Sequence, residues 1–281
     1  MPRVAVLQMC SGPRVEANLD SAAALLEAAA AAGACLAVLP ENFSFLGAAE
    51  TDRLAVAEPP GEGPVQHFLA DRAQTLGLWI VGGTVPVLEP GEARPRAASI
   101  LFDDQGRAVA RYDKLHLFDV HVPGSDEGYR ESAGTAPGAG AVLAATPAGK
   151  LGMAVCYDVR FPELFRSLAD AGLEAISLPS AFTVPTGRAH WELLVRARAV
   201  DNLAFVLAAA QWGEHEGGRR TWGDSMIVDH WGQVLARRRE GVGVVVADLD
   251  LEAQRDARRR FPLLTHRLPP DALRLRTEIT E

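Results

Sequence analysis

Leu151-Gly-Met-Ala-Val-Cys-Tyr-Asp-Val-Arg-Phe-Pro-Glu163 runs as an apolar strand into Cys156 and breaks at once into a polar turn. Phe161-Pro162-Glu163 then opens a helix, because the fixed φ and missing N–H of proline suit the first helical turn. A cysteine between a buried strand and a helix start sits where its thiolate can be stabilised and its sulfur presented to a ligand. Most intracellular cysteines are small core hydrophobes. Reading Cys156 as a nucleophile therefore requires a base and an oxyanion stabiliser from elsewhere in the chain.

Upstream, residues 4–9 form a short apolar run of strand length, residues 18–32 are rich in strong helix formers and stop at Gly33, and residues 35–39 form a second buried run. This strand-helix-strand unit makes parallel sheet neighbours. Residues 64–76 read as a helix, 79–88 as a strand, and 97–103 with 109–117 as a hairpin about Asp104-Gln-Gly106. Residues 119–140, rich in Gly, Pro and charge, read as one long surface loop. Downstream, 141–146 pairs with 150–156, helices are expected over 162–171, 187–202 and 251–260, and strands over 175–179, 204–210, 225–228, 233–238 and 241–249. One α/β domain with sheets packed on each other follows, over residues 1–266, with residues 267–281 as a C-terminal tail of little hydrophobic periodicity.

The 281 residues carry a formal net charge of −8, which disfavours nucleic acid or an anionic membrane as partner. No apolar run is long enough to span a bilayer. Cys10, Cys35 and Cys156 are odd in number and far apart, so they provide neither a disulfide framework nor a Cys-x-x-Cys metal pair. No leader pattern precedes the first strand-like run, and a reducing, cytoplasmic setting is the expectation.

Glu41 directly follows a buried strand. It reads as a water-facing loop carboxylate or as a general base raised by a dry pocket. Lys114 reads as a solvent-facing strand lysine or as a fixed charge for a developing oxyanion; alternation puts Tyr112, Lys114 and His116 on one strand face and Leu115 and Leu117 on the other. Two histidines, His116 and His121, without a third ligand at supporting spacing, do not make a metal site. Glu131 and Glu127 are loop carboxylates at similar distance. Arg160, four residues after Cys156, reads as a surface or interface ion pair or as a fork onto a substrate carboxylate.

Leu39-Pro-Glu-Asn42, Tyr112-Asp-Lys-Leu-His116 and Val155-Cys-Tyr-Asp158, in that order, resemble the nitrilase superfamily of carbon-nitrogen hydrolases, from Val4 to about His266. The superfamily's Glu, Lys and Cys triad falls on Glu41, Lys114 and Cys156, and its second glutamate on Glu131, with Glu127 the rival. A narrower likeness is to the Nit1-like branch, the deaminated glutathione amidases, through Thr146-Pro-Ala-Gly-Lys150, Arg160-Phe-Pro-Glu-Leu164, Pro179-Ser-Ala-Phe182 and Thr186-Gly-Arg-Ala-His-Trp-Glu192. His230, Asp224 and Asp113 depart from the usual residues, and none falls on the four. The resemblance implies an α-β-β-α sandwich of two mixed sheets flanked by helices, a homodimer or higher homo-oligomer joined sheet to sheet, and neither metal nor organic cofactor. It also implies hydrolysis of a small oxo-acid amide through a thioester on Cys156, with the Tyr157 backbone N–H and Lys114 holding the oxyanion and Arg160 receiving the substrate carboxylate. Deaminated glutathione is the favoured substrate. An ω-amidase acting on 2-oxoglutaramate, a nitrilase, and a non-catalytic binding or scaffold subunit are the alternatives.

Overall fold

A computed structural model describes residues 1–123, 128–268 and 272. The chain opens with β1 (Arg3–Gln8), α1 (Val15–Ala31), β2 (Leu36–Val38), a 3₁₀ turn (Glu50–Val56), α2 (Pro64–Leu76) and β3 (Trp79–Val81). Next come β4 (Val85–Val87), β5 (Arg96–Phe102) and β6 (Ala108–Asp113), then a small hairpin, β7 (Asp119–His121) and β8 (Gly128–Arg130), which runs into a 3₁₀ turn at Glu131–Ala133. The second half holds β9 (Val142–Thr146), β10 (Gly149–Met153), a 3₁₀ turn (Cys156–Arg160), α3 (Pro162–Asp170), β11 (Ala175–Ser180), α4 (Val184–Asn202) and β12 (Phe205–Ala210). A second small hairpin, β13 (Trp212–Glu214) and β14 (Arg220–Trp222), precedes β15 (Ser225–Val228), β16 (Val234–Arg238), β17 (Gly243–Asp248) and α5 (Leu251–Arg260).

Two mixed sheets result. One is ordered β17-β1-β2-β3-β5-β4 with β6 on β5; the other is β16-β15-β12-β11-β10-β9. Period-two alternation explains their stacking. Val4 and Val6 of β1, with Leu36 and Val38 of β2, join a core shared with Ile176, Leu178 and Leu207 of the second sheet. Ala5, Leu7 and Ala37 point the other way, into a second core with Leu26 of α1 and Leu69 of α2. Trp191 and Val195 of α4 and Phe165 of α3 cover the second sheet. The layers therefore run α-β-β-α, the architecture expected. Full burial of one such Leu or Val is worth about 1.5–3 kcal/mol.

Several details depart from the sequence reading. The run 79–88 is two strands, because Gly82-Gly83-Thr84 interrupts it. Gly83 has φ +50°, and a Cβ there would lie 2.1 Å from the Pro40 carbonyl oxygen, so only glycine lets the loop holding Glu41 pack against this bend. The strand before Cys156 ends at Met153, and Cys156 itself opens a 3₁₀ turn. The 119–140 stretch is not a single loop: β7 and β8 pair within it, Asp119 to Arg130 and His121 to Gly128. Helix α4 starts at Val184, with proline in its first turn, three residues before the expected start. The hairpin of β13 and β14, too short and glycine-rich for a periodic signal, was not expected at all. Glu127, the rival second glutamate, lies outside the described residues, as does most of the 267–281 tail. Among the described residues no helix is long and apolar enough to cross a membrane.

Candidate active site

Glu41 leaves the end of β2 through Pro40, and its loop is pinned from three sides. Leu39 N–H donates to Val81 O at 3.0 Å, Asn42 N–H to Thr84 Oγ1 at 2.8 Å, and Gln211 Nε2, beyond β12, to Glu41 O at 3.1 Å. Asn42 has φ +57°, a left-handed conformation that asparagine tolerates better than most residues. Lys114 follows β6, with its N–H on Ala97 O at 3.1 Å. Alternation fails here because the strand ends at Asp113. Tyr112 and His116 both turn to Asp158, while Lys114 turns into a separate, dry site.

There Lys114 Nζ donates to Glu41 Oε1 at 2.7 Å and to Glu131 Oε1 and Oε2 at 3.0 and 2.8 Å. Glu131 is held in place by Phe118 N–H at 2.7 Å, with Arg53 Nη1 3.7 Å away. The turn carrying it packs against the Glu50 turn at Gly134, where a Cβ would lie 1.9 Å from Glu50 O. Glu41, Lys114, Glu131 and Cys156 are 4, 1, 5 and 7% exposed, and all four line one cleft.

Burial sets the electrostatics. It pushes the Cys156 thiol well above its ordinary value; the adjacent Glu41 carboxylate adds to this, as a charge and as a hydrogen-bond partner, and Lys114 only partly opposes it. Burial works against the Lys114 charge, but Glu131 and Glu41 outweigh it and hold the ammonium above its usual value. Burial likewise opposes the Glu131 charge, and Lys114 with Arg53 overcomes it, leaving that carboxyl below its usual value. The resting site thus pairs a neutral thiol with a committed ammonium.

The turn at Cys156 is strained and supported. Cys156 has φ +48°, where β-carbon residues are disfavoured. Asp158, fully buried, fixes it by accepting from Val155 N–H at 2.8 Å and Tyr112 OH at 2.7 Å through Oδ2, and from His116 N–H at 3.1 Å and its ring Nδ1–H at 2.7 Å through Oδ1. The His116 ring stacks on Phe161, centroids 3.7 Å apart. His116 is thus taken up by Asp158, and no group of three or more potential metal ligands occurs among the described residues.

Tyr157 lines the cleft. Arg160 does not: its guanidinium lies over the Tyr157 and Phe182 rings, 5.8 and 5.3 Å from their centroids, and Nη1 is 3.3 Å from His190 Nδ1. The sequence reading missed Asn42, Glu50, Arg53, Phe118, Thr183, Thr186 and Arg219, which also line the cleft. Asp158 was visible inside a motif but had no role assigned; an acidic residue three positions after Val155, able to accept that residue's N–H, was the available signal. Arg53 and Arg219 carried none.

A buried thiol flanked by a carboxylate and an ammonium, on an α-β-β-α sandwich, is a constellation suited to acyl transfer. The chain belongs to the carbon-nitrogen hydrolase family, whose pattern matches residues 3–259. It is 43% identical over 273 residues to the deaminated glutathione amidase of Homo sapiens, covering 96% of this chain and 83% of that one. It is 40% identical over 264 residues to the protein of the same name from Yersinia enterocolitica, covering 94% and 92%. Among solved structures it resembles Saccharomyces cerevisiae Nit3, with TM-score 0.84 and 33% identity over 93% of this chain and 94% of that one. It also resembles an amidase of Nesterenkonia sp. AN1, with TM-score 0.76 and 26% identity over 93% and 98%, solved as a mutant with acrylamide joined by Michael addition to the active-site cysteine.

Proposed function

We propose that the protein is a cysteine-dependent amidase that hydrolyses deaminated glutathione to 2-oxoglutarate and cysteinylglycine. The convergence of Glu41, Lys114 and Glu131 on the buried Cys156 carries this reading, and the two relatives of that name supply the substrate.

A thiol held protonated needs a base at the moment of attack, and Glu41 is that base. It takes the Cys156 proton as sulfur bonds to the amide carbon. The oxyanion is received by Lys114 and the backbone N–H of Tyr157, each donor contributing on the order of 3 kcal/mol. Glu41, now neutral, holds Lys114 less tightly and frees an ammonium N–H for this task. As the carbon–nitrogen bond breaks, Glu41 returns its proton to the departing amine, leaving a thioester. Water then attacks the thioester and gives a proton to Glu41; the carbon–sulfur bond breaks, and the thiolate recovers the proton from Glu41. Glu131 keeps Lys114 oriented throughout. The oxo-acid carboxylate lies at the Tyr157 and Phe182 end of the cleft, where the Arg160 guanidinium over those two rings supplies the charge without itself lining the cleft. The enzyme works as a cytoplasmic homodimer; the exposed Leu193 and Val200 of α4, with Trp231 and Phe261 beside each other, offer apolar surface for such a contact.

The test compares kcat/KM for deaminated glutathione, 2-oxoglutaramate and aliphatic nitriles, with Cys156→Ala as control. Preference for deaminated glutathione, lost in Cys156→Ala while the fold survives, is expected. Preference for 2-oxoglutaramate would make the protein an ω-amidase, ammonia from nitriles alone a nitrilase, and wild-type turnover by Cys156→Ala would remove the thiol from the mechanism.

A further inference from the structure

Two guanidinium groups bracket a row of three aromatic rings, two of which, Phe118 and Tyr157, line the cleft. Tyr129, Phe118 and Tyr157 follow one another at centroid steps of 5.3 and 5.1 Å. Arg160 lies over the Tyr157 ring at 5.8 Å, and Arg219 over the Tyr129 ring at 5.0 Å. The Arg219 end opens further. A recess of about 290 Å³ adjoins the cleft there, walled by residues 45–49 and sharing Asn42, Glu50, Arg53 and Arg219 with it, but not Tyr157, Phe182, Thr183 or Thr186.

The two arginines of the recess are not equivalent. Arg53 is committed: Nη2 donates to Glu50 Oε2 at 2.6 Å, Nη1 to Thr135 Oγ1 at 2.6 Å, and Nη1 also lies beside Glu131. Arg219 is not. Its Nη1 is 3.7 Å from Glu50 Oε1, beyond hydrogen-bond reach, and its buried Nε has no hydrogen-bond partner. A buried donor without a partner is costly and is relieved by an acceptor from a ligand.

Chemistry assigns the two ends different halves of the substrate. Asn42 follows Glu41, the residue that hands the proton to the departing amine, so the leaving group lies on the Asn42 side and the acyl group on the Tyr157 side. We infer that Arg219 grips the terminal carboxylate of the leaving peptide, so that Arg160 and Arg219 together select an amide with an anionic group at each end. This rests on the reading under Proposed function and specifies which half of that substrate Arg219 holds.

The experiment measures kcat/KM for deaminated glutathione and for the same compound with its terminal carboxylate converted to a carboxamide, in wild type, Arg219→Gln and Arg219→Lys. Because each ratio is taken on one preparation, loss of folded protein cancels. The wild type should favour the carboxylate roughly 10-fold or more, chiefly through KM, as fits one charge-assisted hydrogen bond. Arg219→Gln should erase that preference, and Arg219→Lys should retain part of it. A full preference persisting in Arg219→Gln overturns the inference. So does a wild type that hydrolyses deaminated glutathione and its terminal carboxamide equally well, and in that case the proposed function stands. If the wild type hydrolyses neither compound, both readings fall.

Discussion

Lys114 Nζ holds both carboxylate oxygens of Glu131, at 3.0 and 2.8 Å, and one oxygen of Glu41 at 2.7 Å. The asymmetry divides the two acids: Glu131 is held through both oxygens, Glu41 through one. It also means that a single ammonium keeps two buried carboxylates compatible.

Removing that ammonium should reverse how stability depends on pH. In the wild type Glu131 lies below its usual value, so its contribution is present above about pH 4.3 and is lost as pH falls through the lower folded value. In Lys114→Ala, burial is left opposed by Arg53 at 3.7 Å and the Phe118 N–H alone, and the Glu131 carboxyl rises. Its contribution is then complete below about pH 4.3 and is lost as pH rises through the raised folded value. Urea denaturation should show Lys114→Ala destabilised by ~3–5 kcal/mol near neutrality, the cost of orphaning a buried charge, and by clearly less in mild acid. An equal loss at both pH values would contradict this account.

The legibility of the sequence follows the range of the interactions. Unbroken apolar runs at residues 4–9 and 35–39 announced buried strands, and their two faces join the two cores. Glu41 and Cys156 stood out because each follows an apolar strand immediately. Lys114 could be singled out, but its direction could not be read, since period-two logic stops with the strand at Asp113. Arg53 reaches Thr135 across 82 positions, and Arg219 reaches the cleft from a short hairpin; such contacts leave no local pattern. The hairpin of β7 and β8 was hidden for a related reason, because three-residue strands are too short for period to register.

Glu41 raises the very thiol it is proposed to activate, and this predicts a split outcome. Glu41→Gln removes a negative charge and an acceptor beside Cys156 while keeping the shape, so the thiol pKa should fall. Turnover should nevertheless drop by roughly 10²–10⁴-fold, because no base takes the proton during attack and none returns it to the amine. The pH profile of iodoacetamide labelling at Cys156, followed by mass spectrometry with Cys10 and Cys35 as internal references, should move to lower pH in the variant. A midpoint that stays or rises would show that Glu41 does not govern the thiol.

Backbone strain at the nucleophile gives a prediction from the fold alone. Cys156 sits at φ +48°, held there because Asp158 ties Val155, Tyr112 and His116 to one carboxylate. A non-glycine residue in such a conformation costs on the order of 1–3 kcal/mol. Elsewhere, glycine is less stable than alanine by about 0.4–1 kcal/mol, through the entropy of the unfolded chain. At this position the order should invert: Cys156→Gly should be more stable than Cys156→Ala by about 1 kcal/mol, both lacking turnover. Denaturation midpoints of the two variants decide it. If alanine is the more stable, the turn at Cys156 relaxes without cost, and Asp158 is not holding the sulfur against a backbone preference.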